Sequence, residues 1–144
     1  MSINELASQI ARQVEQLTLL GELLEKELHL ISTRDAESLI SLLEEKAALL
    51  EAIQQLDSQV EHSYTKANDH TKQSPEIEAL LADAKAQLEN CKYRTDVNEK
   101  AVEQGQLRLT HLRNLMLEVR AKESLTYDKK GKPKGGTLGS GISA

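Results

Sequence analysis

The residues able to do acid–base, nucleophilic or metal chemistry are few and scattered. The histidines, His29, His62, His70 and His111, include no pair at the i, i+4 helical spacing that sets two imidazoles on one zinc ion. The single cysteine, Cys91, falls at a regularly spaced apolar position of a long helix, where a thiol reads as a small buried hydrophobe rather than a nucleophile. It has no second cysteine for an internal disulfide. Acidic neighbours such as Glu44 and Glu45 belong to a charged helical face, which keeps carboxylates solvated instead of tuning them into a general acid and base. The glycines Gly131, Gly135, Gly136, Gly139 and Gly141 open no helix and match no phosphate-cradling loop. No catalytic residue, metal ligand or cofactor is expected, and the chain does not read as an enzyme. The chemistry that remains is the pairing of apolar helical faces.

Composition narrows the class of partner. The chain has 144 residues, one domain by length, of which 39% are hydrophobic and only 2% aromatic. A core built from Leu, Ile and Val without large rings suits helices interdigitating along a seam, and disfavours a barrel or sandwich. A net charge of -5 opposes general nucleic-acid binding, which needs a surplus of Lys and Arg against phosphates. No apolar run approaches the roughly 18 to 20 residues that span a bilayer, and the acidic amphipathic start has no continuous signal-peptide core. A cytoplasmic protein without membrane insertion is expected.

The element that must position any binding face runs from Ser74 to about Lys122. Ser74 can cap it, Pro75 suits the first helical position, and Glu76 meets the positive end of the dipole. Apolar or small residues recur at Ile77, Ala84, Cys91, Gly105, Leu112 and Val119, with a second series at Leu81, Leu88, Val102, Leu109 and Met116. This is a heptad stripe, the seam of a coiled coil. Thr95 and Asn98 make the middle of the seam polar, so it is strong at both ends and weak in the centre.

Two earlier helices are read the same way. Ser2 and Glu5 form a capping box, and a helix over about 3–31 carries Ile3, Ile10, Leu17, Leu24 and Ile31, interleaved with Ala7, Val14, Gly21 and Leu28. The stripe stops at Ser32–Ser38 and restarts, out of phase, through Leu39, Leu42, Leu49, Ile53, Leu56 and Val60. A tight turn with Thr33 as cap, and Asp35 and Glu37 near the positive end, begins a second helix over about 34–62. The antiparallel hairpin is favoured over one unbroken helix, which would leave two long stripes unburied. Residues 63–74 read as a loop. The fold class is therefore all-α: a helical hairpin plus a long third helix over 75–122, a coiled-coil-like three-helix bundle spanning 1–123. Residues 124–144 read as a flexible, basic, Gly-rich tail, net +3 from Asp128 onward.

The helices are unequal in length. The first two span about 28 residues, roughly 40 Å, and the third about 48, roughly 70 Å. Running back along the hairpin, the third helix passes its turn near Gln104 or Gly105. Either Gln106 to Lys122 projects and presents its apolar stripe to a partner, or the helix kinks at Gly105 and packs its end on the bundle. Leu109, Leu112, Leu115, Met116 and Val119 are the candidate contacts. A structural adaptor acting through self-association along this stripe is the alternative reading, and recruitment of an acidic partner or membrane surface by the basic tail is another.

The second helix carries the run Leu42, Leu43, Glu44, Glu45, Lys46, Ala47, Ala48, Leu49 and Leu50, the third has Asn98 near its middle, and the tail reads Leu125, Thr126, Tyr127 and Asp128 followed by Gly131. On these residues the chain resembles the FlgN family of flagellar type III export chaperones over nearly its whole length. It departs from the family at Ala101 and Val102, where relatives often carry Asn-Gly. The resemblance implies a cytoplasmic chaperone that binds the amphipathic terminal helices of the hook-filament junction proteins FlgK and FlgL and prevents their premature assembly. It also suggests delivery to export-apparatus components. On this reading Leu125 and Tyr127 order as the tail closes over the client.

Overall fold

The computed structural model describes residues 3–128. These form four helices and, among the described residues, no strand: α1 (Ile3–Thr33), α2 (Ala36–Lys66), α3 (Asp69–Lys72) and α4 (Pro75–Asp128). The all-α helical bundle is thus the observed fold. The chain divides into two compact units, the first ending at Ala101 and the second starting at Val102. The Ser2 capping box and the tail from Lys129 onward lie outside the described residues.

The turn after α1 is built differently from expectation. Thr33 does not cap α2; it is the last residue of α1, and its hydroxyl donates back to the His29 carbonyl at 3.0 Å. Arg34 then takes a left-handed conformation, φ 59°. The Arg34 amide donates to the Ile31 carbonyl and the Asp35 amide to the Leu30 carbonyl, at 3.3 and 3.1 Å. This is a Schellman ending, with arginine where glycine is the usual choice. Asp35 is the N-cap of α2, its carboxylate accepting from the Ser38 amide at 3.1 Å. A carboxylate at that position both satisfies an orphan amide and meets the helix dipole, so it outcompetes Thr33.

The segment expected as a loop from 63 to 74 is mostly helical. α2 continues to Lys66, and α3 follows after Asn68, whose side chain accepts from the Thr71 amide at 2.8 Å. Lys72 lies over the Tyr64 ring, 5.3 Å from its centroid, and ties this corner together. Pro75 does open α4, with the Ser74 carbonyl accepting from Glu78 at 2.9 Å.

In the first unit, α1 and α2 run antiparallel and α4 runs parallel to α1. Gln13 donates to Asp57 and Lys46 to Glu27, pairing early α1 with late α2 and late α1 with early α2. Cys91 donates to the Leu17 carbonyl and Asn98 to the Leu24 carbonyl, two contacts with the same 74-residue separation. At one end, Leu6, Ala7 and Ile10 meet Leu56, Val60 and Ile77. Farther along, Leu20 and Leu24 meet Cys91, with Leu49 and Ile53 against them. Leu6, Ile10, Leu24 and Ile77 are fully buried; each such side chain contributes about 1.5 to 3 kcal/mol of transfer free energy.

Most of the expected α4 seam is covered in this unit: Ala84 and Thr95 are partly buried, and Leu81 packs against the first cluster. Ile77, Cys91 and Asn98 are buried, whereas Leu88 is 42% exposed. Leu80, Gln87, Arg94 and Ala101, three residues after Ile77, Ala84, Cys91 and Asn98, are partly covered as well. The covered face of α4 in this unit is therefore broader than the seam that apolar spacing alone suggests.

Above the second apolar cluster lies a polar layer. Glu27, 6% exposed, continues the α1 stripe one turn past Leu24. Asn98 Nδ2 donates to Glu27 Oε1 at 2.7 Å and to the Leu24 carbonyl at 2.9 Å, and Lys46 Nζ donates to Glu27 Oε2 at 3.0 Å. One side chain from each long helix thus closes a charge-assisted network. This explains the polar centre of the α4 seam: Asn98 is a seam residue with partners of its own.

Candidate functional site

The second unit begins with the C-terminal part of α4. Leu, Arg, Glu, Lys, Met and Ala dominate 102–124, all strong helix formers, and Gly105 is the one glycine. The helix carries through Gly105 and continues to Asp128 rather than stopping at 122. A Cβ added at Gly105 would meet nothing within 4 Å.

The apolar residues here are open to solvent. Leu109 is 59% exposed, Leu112 54%, Leu115 44%, Met116 57% and Val119 55%. At 100° per residue these five share an arc about 120° wide, a single amphipathic stripe. Leu125, also exposed, falls on the far side of the helix with Leu107, away from that stripe. The helical backbone includes Tyr127; its side chain lies outside those described. Of the candidate residues, the structure brings five onto one face and leaves Leu125 off it.

A shallow depression of about 280 Å³ lies on this helix, lined by Leu109, Leu112, Arg113, Met116, Leu117 and Arg120. Arginines rim an apolar floor. The sequence reading overlooked them, although their spacing of seven beside the leucine stripe was visible. Glu27 and Lys46 were overlooked as well; the signal was a lone acid continuing the apolar stripe of α1.

A second depression, about 560 Å³, flanks the α1–α2 turn and is lined by residues including Lys26, His29, Leu30, Ser41, Leu42 and Glu45. Among the described residues no group of three His, Cys, Asp or Glu side chains converges as metal ligands. The Cys91 thiol is buried, and desolvation pushes its pKa up, partly countered by Arg94, so it is held as the neutral thiol. No helix among the described residues is long and apolar enough to cross a membrane.

Fold and face together define a small all-α protein with an uncovered amphipathic helical stripe. More particularly, the chain belongs to the FlgN protein family, whose model matches residues 1–135. The family is one of flagellar export chaperones, which places the chain in flagellum biogenesis. No curated protein and no solved structure matches it.

Proposed function

We propose that this chaperone binds the amphipathic terminal helices of hook-filament junction proteins of the FlgK and FlgL type in the cytoplasm, holding them unassembled until secretion. The observation that carries the reading is the open stripe Leu109, Leu112, Leu115, Met116 and Val119 on a continuous helix of a FlgN family member. A client helix laid along it would remove both apolar faces from water, the helix-in-groove mode of recognition. Such a client is otherwise free to pair with its own kind, so covering its face blocks assembly directly. Leu125 and Tyr127 would contribute only by closing over the client from beyond the stripe.

The test is co-purification of the full chain with C-terminal segments of the two junction proteins, alongside the double variant Leu112→Asp, Met116→Asp. Wild type is expected to retain the segments and the variant to lose at least about tenfold in affinity, as expected for truncating central contacts. Retention by the variant would reject this face as the client site.

A further inference from the structure

The charge around the stripe specifies the chemistry of what covers it. In the heptad that contains Leu109, Leu112, Met116 and Val119, the flanking positions on one side are Gln106, Arg113 and Arg120, and on the other Arg108, Leu115 and Lys122. Every charged flank is basic. The acidic Glu118 sits on the opposite side of the helix, and Glu123 ends the stripe. Arg113 and Arg120 line the same depression as Leu109, Leu112 and Met116. Arg108, Arg113 and Arg120 are exposed. The pattern runs against the rest of the protein: residues 1–101 hold nineteen acidic and ten basic side chains, and the whole chain is net -5.

Flanking charges choose partners in coiled-coil pairing. Two copies of this helix joined in parallel would set Arg108 beside Arg113 and point Arg120 at a leucine. Joined antiparallel, they would bring like flank against like flank, again arginine to arginine. A second copy is thus the wrong occupant. Resting on the client-binding reading above, we infer that the stripe takes an amphipathic helix whose own apolar seam is flanked by Glu or Asp. The arginines act as the selecting element and the leucines as the non-selective one.

The experiment uses the full chain and two labelled synthetic helices of about three heptads, identical in their Leu seam, one with Glu at all flanking positions and one with Lys. Fluorescence anisotropy at about 50 mM and about 500 mM salt reads affinity and screening. The Glu-flanked helix is expected to bind at least about tenfold more tightly at low salt, with the ratio shrinking at high salt. The triple variant Arg108→Glu, Arg113→Glu, Arg120→Glu is expected to reverse the preference. Equal binding, tighter binding of the Lys-flanked helix, binding of neither, or a dimer of the wild-type chain built on this stripe would each overturn the inference. Leu112→Asp, Met116→Asp separates the two readings. If it abolishes native client binding while flank charge makes no difference, the client face stands and the charge selection fails; if it changes nothing, both fail.

Discussion

At the scale of single residues, the most consequential side chain in the bundle is Asn98. It donates to the Leu24 carbonyl and to Glu27, and Glu27 is itself buried with Lys46 as its second partner. Asn98→Ala leaves the Glu27 carboxylate short of a donor in a poorly solvated place and is expected to cost about 2 to 3 kcal/mol, read from the urea midpoint. Replacing all three by apolar residues, Glu27→Leu, Lys46→Met and Asn98→Leu, is expected to cost much less than the sum of the single changes, because no charge is then stranded. At the first turn, Arg34→Gly relieves a left-handed arginine and is expected to stabilise by about 0.5 to 1 kcal/mol. Next to it, the bond from the Ser38 amide holds the Asp35 carboxyl below the usual carboxylate range. The stability this supplies is present above that range and is lost as pH falls through the lowered value. Thermal melts should therefore show Asp35→Ala less stable than wild type at neutral pH, with the gap closing in acid.

At the scale of elements, the two helical glycines in the described residues separate cleanly. A Cβ at Gly21 meets Asn90 Nδ2 at 3.3 Å, whereas one at Gly105 meets nothing within 4 Å. Gly105→Ala is expected to raise helix stability by about 0.5 to 1 kcal/mol with client affinity kept, since alanine is the better helix former and no neighbour is displaced. The three long helices, their order and their type were legible because 3.6-residue spacing is a local property of the chain, and Pro75 and the stripes of α1 and α2 announced themselves; the one-turn α3 was not. Boundaries were less so. Thr33 and Asp35 are both capping residues by type, and only the local competition between them decides. The face of α4 was legible past Gly105, where the stripe has no competitor, and in the first unit at every seam position but Leu88; packing on two helices at once makes the covered arc there wider than a seam. Glu27 is the hardest case: an acid on an apolar stripe looks like an edge of the charged face until Asn98 and Lys46, far away in sequence, are seen to meet it.

At the scale of the whole molecule, charge and apolar surface are divided between different parts of the chain. The unit ending at Ala101 is acidic with its leucines largely spent on its own core, while 102–128 carries an open apolar stripe with basic flanks. Substitutions on the stripe are accordingly expected to leave the bundle's cooperative unfolding unchanged, whereas Ile77→Ala, which removes a fully buried side chain from the cluster of Leu6, Ile10 and Leu56, is expected to cost about 2 to 5 kcal/mol. Circular dichroism melts of the two kinds of variant would show the contrast.

The shared separation of 74 residues between α1 and α4 also imposes a schedule on folding. α1 and α2 meet across a short turn and close small loops, while every α1–α4 contact must first gather the whole intervening chain, so the hairpin forms early and α4 docks late. Stopped-flow kinetics should find that Leu42→Ala mainly slows folding and Ile77→Ala mainly speeds unfolding. On the ribosome the hairpin is complete while α4 is still being made. Until Ile77 arrives, Leu6 and Ile10 are covered only on the side of Leu56 and Val60, and that interval is when the nascent chain is most exposed to aggregation.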